Sequence, residues 1–364
     1  MGSTFAAIGL AVLSALDGQA EAVEYEICYH HAVRNRTDRP LDGVRVYLTI
    51  PPSDAEQEIL DWKVETGGRP LKHSSRTDAS GNKLRRVDLP RLEPGEEIEV
   101  GFSCRARLRP AARVDLGAKA PDPSAQAMAP DVLAWFTADD PIFGLSTPAI
   151  RVEVDKLSRE HPDPVERAIA AHDFVASRLK YRSEDGWDHA PVVLERGSGS
   201  CSEFSYLFAA LCRGTGIPTR FVGASIFPLK SSAPFEDRGW HRWVEAYLPG
   251  RGWVPFDPTL DRAKPPKRNF VGAHHPRTLV LTRINTRSLQ LGLSYLPSNS
   301  HTGQTSRKRW FTWSQGTEAE LRRALSLLDD SGTAEAGKTA LTALAESSPG
   351  TRAGREARER LGKN

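Results

Sequence analysis

The N-terminal third of the chain alternates between hydrophobic and polar residues in short stretches. The alternation is clearest over residues 44–50, 84–89 and 98–108, and polar turns such as Gly67-Gly68 and Pro94-Gly95 separate the stretches. A period of two is typical of strands that bury one face, and repeated turn signals favour an antiparallel arrangement. The pattern predicts an antiparallel β-sandwich over residues 23–109.

A helical period replaces the alternation from residue 163 onward. Asp163-Pro164-Val165-Glu166 has the cap, the first-turn proline and the acidic residue of a helix start. A second helix follows Cys201 and ends before Gly214 and Gly216, where glycines interrupt the pattern. Four apolar residues at helical spacing give it one buried face: Phe204, Leu207, Phe208 and Leu211.

Strand-like segments follow this second helix. Residues 219–226 form a buried strand, and two aromatic-rich segments, 240–248 and 253–259, surround a turn at Pro249-Gly250 and predict a hairpin. Residues 278–284 and 309–313 are expected to complete the same sheet. Helices packed on an antiparallel sheet make this part of the chain α+β.

The remaining segments have simpler patterns. Residues 110–145 are rich in Ala, Pro and Asp, which is typical of an irregular connector. Residues 317–364 are helical, with breaks at Ser331-Gly332 and Pro349-Gly350. This rhythm resembles one tetratricopeptide-type unit, although a solvated tail with helical propensity explains it equally well. If the unit forms, its helices are a candidate surface for protein contacts.

Residues 1–22 have two features of a secretory signal peptide. A twelve-residue apolar run from Phe5 to Leu16 precedes the small-residue site Ala20-Glu21-Ala22. No Lys or Arg stands before the run, so a misassigned start or a buried first helix is the alternative. The signal peptide predicts a periplasmic or secreted protein, and a misassigned start predicts a cytoplasmic one. No other stretch of the sequence reaches the length that spans a bilayer.

Charge and cysteine content exclude some classes of function. The 364 residues contain 49 Lys and Arg against 46 Asp and Glu, with no basic stripe interleaved with aromatic residues, so nucleic acid is not an expected partner. The four cysteines have neither a CxxC pair nor metal-ligand spacing, and we expect neither metal nor cofactor. Cys28 and Cys104 both lie in the predicted sandwich, where pairing between them stays open.

Cys201 is the first candidate for chemistry. It follows Gly197-Ser198-Gly199-Ser200 and opens the predicted helix, where free backbone N–H groups and the helix dipole favour a thiolate. Gly199, lacking a Cβ, is expected to let a substrate backbone approach. The alternative for a single cysteine is a small buried residue that only packs.

The hairpin brings two more candidates together. A turn centred on Pro249 places His241 directly opposite Asp257, with their Cβ atoms about 5 Å apart. The carboxylate then holds the Nδ1–H of His241 and leaves Nε2 to take the thiol proton of Cys201. A one-residue slip of register would send the two side chains to opposite faces, and each residue taken singly has a structural explanation.

Four motifs resemble the transglutaminase-like superfamily of papain-type thiol enzymes. They are Gly199-Ser200-Cys201-Ser202-Glu203-Phe204, the segment from Leu207 to Arg220, Trp240-His241-Arg242-Trp243-Val244-Glu245, and Gly252-Trp253-Val254-Pro255-Phe256-Asp257-Pro258-Thr259. The resemblance extends over about residues 146–275. It implies a papain-like catalytic domain over residues 146–316, after a β-sandwich of the kind that many bacterial members carry.

The resemblance also implies roles and a reaction. Cys201 is the nucleophile, His241 the general base and acid, and Asp257 the residue that orients His241. The reaction is attack on a peptide or carboxamide carbonyl of a peptide or protein substrate, giving a thioester acyl-enzyme. Hydrolysis by a cysteine protease or amidase is favoured over amine transfer to glutamine. A non-catalytic binding module that uses the sandwich and the C-terminal helices is the alternative from another class.

Some details of the site stay open at this stage. The backbone N–H of Cys201 is expected to contribute to an oxyanion hole, with Trp187 and Trp240 as candidates for a second donor. Ser202-Glu203 and Arg242 depart from the usual pattern of the family, and they are expected to reshape the cleft without touching the three candidate residues. No cluster of carboxylates suggests the calcium regulation of animal transglutaminases.

Overall fold

The structure is a computed structural model that describes residues 22–118, 128–183, 187–229, 234–286, 298–301, 303–329, 332–349 and 352–362. The strands are β1 (Val23–Asn35), β2 (Arg45–Thr49), β3 (Gln57–Glu65), β4 (Lys72–Thr77), β5 (Lys83–Asp88), β6 (Glu97–Leu108), β7 (Lys180–Tyr181), β8 (Ser198–Gly199), β9 (Thr219–Ile226), β10 (Phe235–Asp237), β11 (His241–Leu248), β12 (Gly252–Phe256), β13 (Thr278–Ile284), β14 (Ser298–Asn299) and β15 (Thr305–Ser314). The helices are α1 (Pro130–Thr137), α2 (Pro148–Glu160), α3 (Pro164–Arg178), α4 (Ala190–Arg196), α5 (Cys201–Gly214), α6 (Thr317–Leu328), α7 (Ala334–Ser347) and α8 (Arg352–Gly362). The α+β class predicted from the sequence is confirmed.

Two antiparallel sheets form the predicted sandwich. One has the order β10-β15-β1-β6-β3 and the other β14-β2-β5-β4. The inward-facing residues of both sheets share one core, which includes Val46, Leu84, Ile98 and Phe102. The alternating segments of the sequence therefore form strands, because each buries every second side chain between the sheets.

The strand predicted over residues 309–313 forms, but in a different sheet from the expected one. It belongs to β15, which pairs with β1 and β10 in the sandwich rather than with the strands around the hairpin. The predicted catalytic range of 146–316 thus contains three strands, β10, β14 and β15, that add to the sandwich sheets. Alternation along one segment shows that a strand forms, but not which edge it pairs with.

A separate central sheet, in the order β12-β11-β9-β13, carries the predicted hairpin. Helix α5 packs against this sheet, and helices α2, α3 and α4 surround α5. Every residue of α5 from Cys201 to Arg213 is buried, so the helix is covered on all sides rather than on the one predicted face. The first turn of this helix is consequently held from several directions.

Helices α6, α7 and α8 form a small three-helix unit at the C-terminus with its own apolar cluster. Gly337 allows α7 to approach α6 closely, since a Cβ at this position would lie 2.7 Å from the Leu328 nitrogen. Arg322 attaches the unit to the sandwich by donating hydrogen bonds to Thr312 at 3.1 Å and Ser314 at 2.7 Å. The helical prediction for this region is confirmed, and its resemblance to a tetratricopeptide unit stays a prediction.

Cys28 and Cys104 lie on neighbouring strands but cannot pair. Cys28 is opposite Ser103, and Cys104 is opposite Ile27. Since facing residues share one side of a sheet and successive residues alternate, the two sulfurs lie on opposite faces. All four cysteines are free thiols.

The predicted signal peptide lies almost wholly outside the described residues, which begin at Ala22. Within the part of the chain that the structure describes, no helix is both long enough and apolar enough to cross a bilayer.

Candidate active site

Cys201 opens helix α5, and a network around Glu203 holds this end of the helix in place. The carboxylate of Glu203 accepts the backbone N–H of Ser200 at 2.7 Å and that of Asp188 at 3.2 Å. Arg196 pairs with the same carboxylate at 2.6 Å. An acidic side chain at the third helical position also complements the helix dipole. The loop before the cysteine is thereby tied to the first turn of α5.

A glycine is required at position 199 for a different reason from the one expected. A Cβ on Gly199 would lie 2.7 Å from the Cβ of Glu203, which is too close for two carbon atoms that are not bonded to each other. The glycine therefore makes room for Glu203 of the same chain, and the prediction of close substrate approach has no support from this contact.

His241 is the first residue of β11, directly after a tight turn. Asp237 fixes this turn by accepting the backbone N–H groups of Gly239 at 2.8 Å and Trp240 at 3.0 Å. Ser225 of β9 donates a 2.6 Å hydrogen bond to the other carboxylate oxygen of Asp237. Burial raises the pKa of Asp237 in spite of these bonds. The turn before His241 is thus anchored to the neighbouring strand of the central sheet.

The hairpin register differs from the predicted one by two residues. The turn is centred on Gly250 rather than Pro249, so Val244 faces Phe256 and the ladder ends there. His241 and Asp257 are therefore not direct cross-strand partners. A shift of two residues preserves the face on which each side chain lies, because side chains alternate with a period of two. Both residues consequently remain on one face, and their side chains still meet.

The loop after β12 carries Asp257. Its Oδ1 accepts the backbone N–H groups of Thr259 at 3.0 Å and Leu260 at 3.1 Å. Its own backbone N–H donates to Phe270 at 3.1 Å. These bonds occupy one carboxylate oxygen and leave Oδ2 directed at His241.

The three predicted residues come together in the structure. Nε2 of His241 lies 2.5 Å from Oδ2 of Asp257, and both side chains are buried. His241 also hydrogen-bonds to the Cys201 side chain. Because Nε2 contacts the carboxylate, Nδ1 remains for the thiol, which is the reverse of the predicted assignment. The strand delivers the ring with its Nδ1 edge toward α5, an orientation that residue spacing does not specify.

The electrostatics of this group favour an ion pair. Burial opposes ionisation of Cys201, but the hydrogen bond and charge of His241 outweigh it, and the pKa of the thiol is lowered. Burial likewise opposes a charged His241, yet the charge and hydrogen bond of Asp257 and the contact with Cys201 raise its pKa to about 10. The site therefore favours the thiolate beside an imidazolium more than an isolated thiol and imidazole would. By contrast, burial raises the pKa of Cys212 on the same helix.

Three neighbours of Cys201 were not identified from the sequence as parts of its environment. The expectation that Arg242 does not touch the three candidate residues is wrong, because its backbone N–H donates a hydrogen bond to Cys201 and its guanidinium also lowers the pKa of the thiol. Ser205 donates to the carbonyls of Cys201 at 2.8 Å and Arg242 at 3.3 Å, which joins α5 to the start of β11. Tyr181 of β7 is beside the site as well, since β7 pairs with β8 just before the cysteine.

The two tryptophans considered for an oxyanion hole lie in different surroundings. Trp187 is 40 % exposed, contacts the ring of Tyr206 and lies over the Arg242 guanidinium. Trp240 packs with the sandwich core, and its ring lies 5.1 Å from the Arg309 guanidinium. Trp187 therefore packs against residues of α5 and β11, whereas Trp240 packs against the sandwich.

A second buried cluster supports the loop that carries Asp257. Asp261 accepts the backbone N–H groups of Asn269 at 2.9 Å and Phe270 at 2.8 Å, and its carboxylate lies 3.2 Å from Nε2 of His172. His172, on α3, also contacts Asp173 at 3.1 Å. Among the residues that the structure describes, no group of three or more His, Cys, Asp and Glu side chains has the arrangement of a metal site.

Comparison with known families identifies the domain that contains this site. Residues 154–258 match the model of the transglutaminase-like superfamily, so this part of the chain is a transglutaminase-like domain, as its motifs predict. The matched range includes Cys201, His241 and Asp257.

Two curated proteins are similar to part of the chain. The uncharacterized protein YebA of Bacillus subtilis is 29% identical over 132 residues, which covers 32% of this chain and 18% of that protein. A protein-glutamine gamma-glutamyltransferase of Pseudomonas aeruginosa is 29% identical over 141 residues, covering 35% of this chain and 20% of that protein. The chain thus matches about a fifth of the length of these relatives.

One solved structure is similar over most of the chain. It is a protein from Cytophaga hutchinsonii named as a candidate cysteine protease, with a TM-score of 0.59 and 14% sequence identity. The match covers 81% of this chain and 91% of that one. At this identity the similarity shows a shared fold that extends beyond the transglutaminase-like domain.

Proposed function

We propose that this transglutaminase-like domain is a thiol hydrolase that cleaves peptide or carboxamide bonds through a Cys201 thioester. The observation that carries the proposal is the buried line of Cys201, His241 and Asp257, in which the thiol has a lowered pKa and the imidazole a raised one. A structural cysteine in an apolar core has the opposite shift, as Cys212 does.

The geometry supports a two-step reaction. The Cys201 thiolate attacks the carbonyl carbon, and the resulting oxyanion collapses as the C–N bond breaks. The His241 imidazolium gives its proton to the leaving amine, which leaves a thioester and a neutral imidazole. His241 then takes a proton from water, whose oxygen attacks the thioester and releases the acid. Asp257 keeps the ring oriented and stabilises its charged form in both steps.

The oxyanion needs hydrogen-bond donors at the start of α5. The backbone N–H of Cys201 belongs to the first turn, where N–H groups have no partner within the helix. We propose the indole of Trp187 as the second donor, because its ring packs against the Arg242 guanidinium and the Arg242 backbone contacts Cys201, whereas the Trp240 ring packs toward the sandwich.

Amine transfer to a glutamine side chain is the second candidate. It uses the same thioester, with a primary amine in place of water as the acyl acceptor. Its support is the printed name of the Pseudomonas aeruginosa relative, a protein-glutamine gamma-glutamyltransferase. We favour hydrolysis because water needs no dedicated binding site.

We further propose that the substrate is a peptide or protein met in the periplasm or outside the cell. The support is the apolar run and small-residue site within residues 1–22. The C-terminal helices α6–α8 are proposed to contact protein partners, since they form a separate unit attached to the sandwich.

A peptide library tests the reaction class. The protein is incubated with peptides that contain internal glutamine, with and without a labelled primary amine, and products are identified by mass spectrometry. We expect cleavage or deamidation without the amine, and none with Cys201→Ala. The matched control Cys212→Ala removes a buried thiol from the same helix and should retain turnover. Dominant amine incorporation would favour transfer, and equal turnover by wild type and Cys201→Ala would refute the proposal.

A further inference from the structure

Arg242 is an unusual residue for its position, directly after the candidate catalytic histidine. Its side chain is 2 % exposed, although arginine is rarely buried without specific partners. The guanidinium carbon lies 5.1 Å from the ring centre of Trp187, 5.1 Å from that of Tyr206 and 5.3 Å from that of Phe221. Arg242 also donates a hydrogen bond to the Tyr206 hydroxyl.

These aromatic partners hold the Arg242 guanidinium inside the protein. Aromatic faces attract a guanidinium through the negative potential of the ring, and this attraction is stronger where water is excluded. The main chain of the same residue touches the nucleophile, because the Arg242 backbone N–H donates to Cys201. Tyr206 lies five residues after Cys201 on α5, so the arginine packs along the first turns of this helix.

We propose that Arg242 is a positioning residue for the nucleophile, whose permanent charge stabilises the Cys201 thiolate independently of His241. The inference rests on the proposed function, since it assigns a role within the same site. A guanidinium stays protonated throughout the working pH range of proteins, whereas the His241 imidazolium is lost as pH rises. In a buried site, where screening by water is weak, a fixed cation favours the anion, and the charge of Arg242 lowers the pKa of Cys201 in addition to the larger effect of His241.

The other titratable groups around the thiol do not provide this charge. Tyr181 on β7 and Tyr206 on α5 are phenols whose pKa is raised by burial, so both are neutral at physiological pH. Glu203 is engaged by Arg196 and by the helix start. Among the described groups that act on the pKa of Cys201, His241 and Arg242 are the two cations.

The test measures the pH dependence of Cys201 alkylation by iodoacetamide, with the modified peptide quantified by mass spectrometry. Arg242→Met should raise the pKa of Cys201 by about one unit or more, which lowers the alkylation rate at a pH below both values about tenfold. Arg242→Lys keeps a cation and should restore at least half of the shift. Arg242→Gln is the substitute for Arg242→Met if the latter fails to fold, as judged by near-UV circular dichroism.

Arg220→Met is the matched control. Arg220 is a half-buried cation on β9 that lies 4.2 Å from the Trp253 ring, four residues along the strand from the position opposite His241. Four strand residues span about 13 Å, so removing this cation should leave the pKa of Cys201 unchanged.

Variants that lack His241 distinguish a failure of this inference from a failure of the proposed function. In His241→Ala, the pKa of Cys201 should remain at least one unit lower than in the double variant His241→Ala/Arg242→Met. Equal values in these two backgrounds, or equal values in wild type and Arg242→Met, would overturn the role of Arg242. A wild-type Cys201 with an ordinary thiol pKa would instead contradict the proposed function itself.

Discussion

Replacing Asp257 with asparagine tests the contact that gives His241 its charge. The amide has nearly the same shape and can still accept the hydrogen bond from Nε2, but it carries no charge. Asp257 contributes its charge and its hydrogen bond to a His241 pKa that stands at about 10, against an ordinary value of 6.5. These two contributions are larger than those of Cys201, which also favours the charged ring.

The expected magnitude follows from this ranking. The pKa of His241 is about 10 against an ordinary value of 6.5, and losing the charge of Asp257, the largest favourable contribution, should lower it by about one unit or more. Because burial then opposes the charged ring, the imidazolium should lose its proton as the pH rises through about 9 or below. Turnover should fall by about 10²-fold or more, the usual scale for impaired acid–base catalysis.

Cys201 alkylation measured from pH 4 to 11 provides the assay. In wild type, the rate should change once when the Cys201 thiol ionises, below the ordinary thiol pKa, and again near pH 10, when His241 loses its proton. Asp257→Asn should move the upper transition down by about one unit or more. Asp173→Asn is the matched control, since it removes a carboxylate from a different buried histidine, His172. An upper transition that stays in place in Asp257→Asn would refute the assignment of Asp257.

Two further predictions concern the scaffold of the site. Gly199→Ala should lower the free energy of unfolding by about 1–3 kcal/mol, because the added methyl group overlaps Glu203. Gly303→Ala is the control and should change the free energy of unfolding little, since no atom lies within 4 Å of the added Cβ. Urea unfolding measures both variants. Burial opposes a charged His172, but hydrogen bonds to its two carboxylates outweigh it and raise its pKa. A group whose pKa is raised in the folded state stabilises the protein at pH values below its unfolded pKa, which is near 6.5 for histidine. This stabilisation is lost as the pH rises through the folded-state pKa. His172→Asn should therefore destabilise the protein more at pH 6 than at pH 9, and a constant difference would contradict the charged interaction with Asp261.

The sequence predicted the elements that carry the site because each has a strong local signal. Cys201 follows a glycine-serine segment and precedes an apolar helical pattern, so its place at a helix start did not depend on distant contacts. His241 and Asp257 were placed on one face by a period-two argument, which survives a register error of two residues. The same argument would have failed for an error of one.

The details that the sequence did not predict all depend on tertiary contacts. Which imidazole nitrogen faces the thiol is set by how β11 meets α5, and no local pattern encodes that orientation. The pairing of β15 with β1 joins residues nearly three hundred positions apart. The role of Glu203 is an exception, because Ser200-x-x-Glu203 has the spacing of a capping box and this local signal marks the helix start.

The rate of alkylation of each cysteine at pH 7 tests the central claim most directly. Wild-type protein is treated briefly with iodoacetamide, and the four cysteine-containing peptides are quantified by mass spectrometry. Burial raises the pKa of Cys28, Cys104 and Cys212, so these thiols should react slowly in the folded protein. We predict that Cys201 reacts at least about a hundredfold faster than Cys212. Similar rates for these two cysteines would contradict the assignment of Cys201 as the nucleophile.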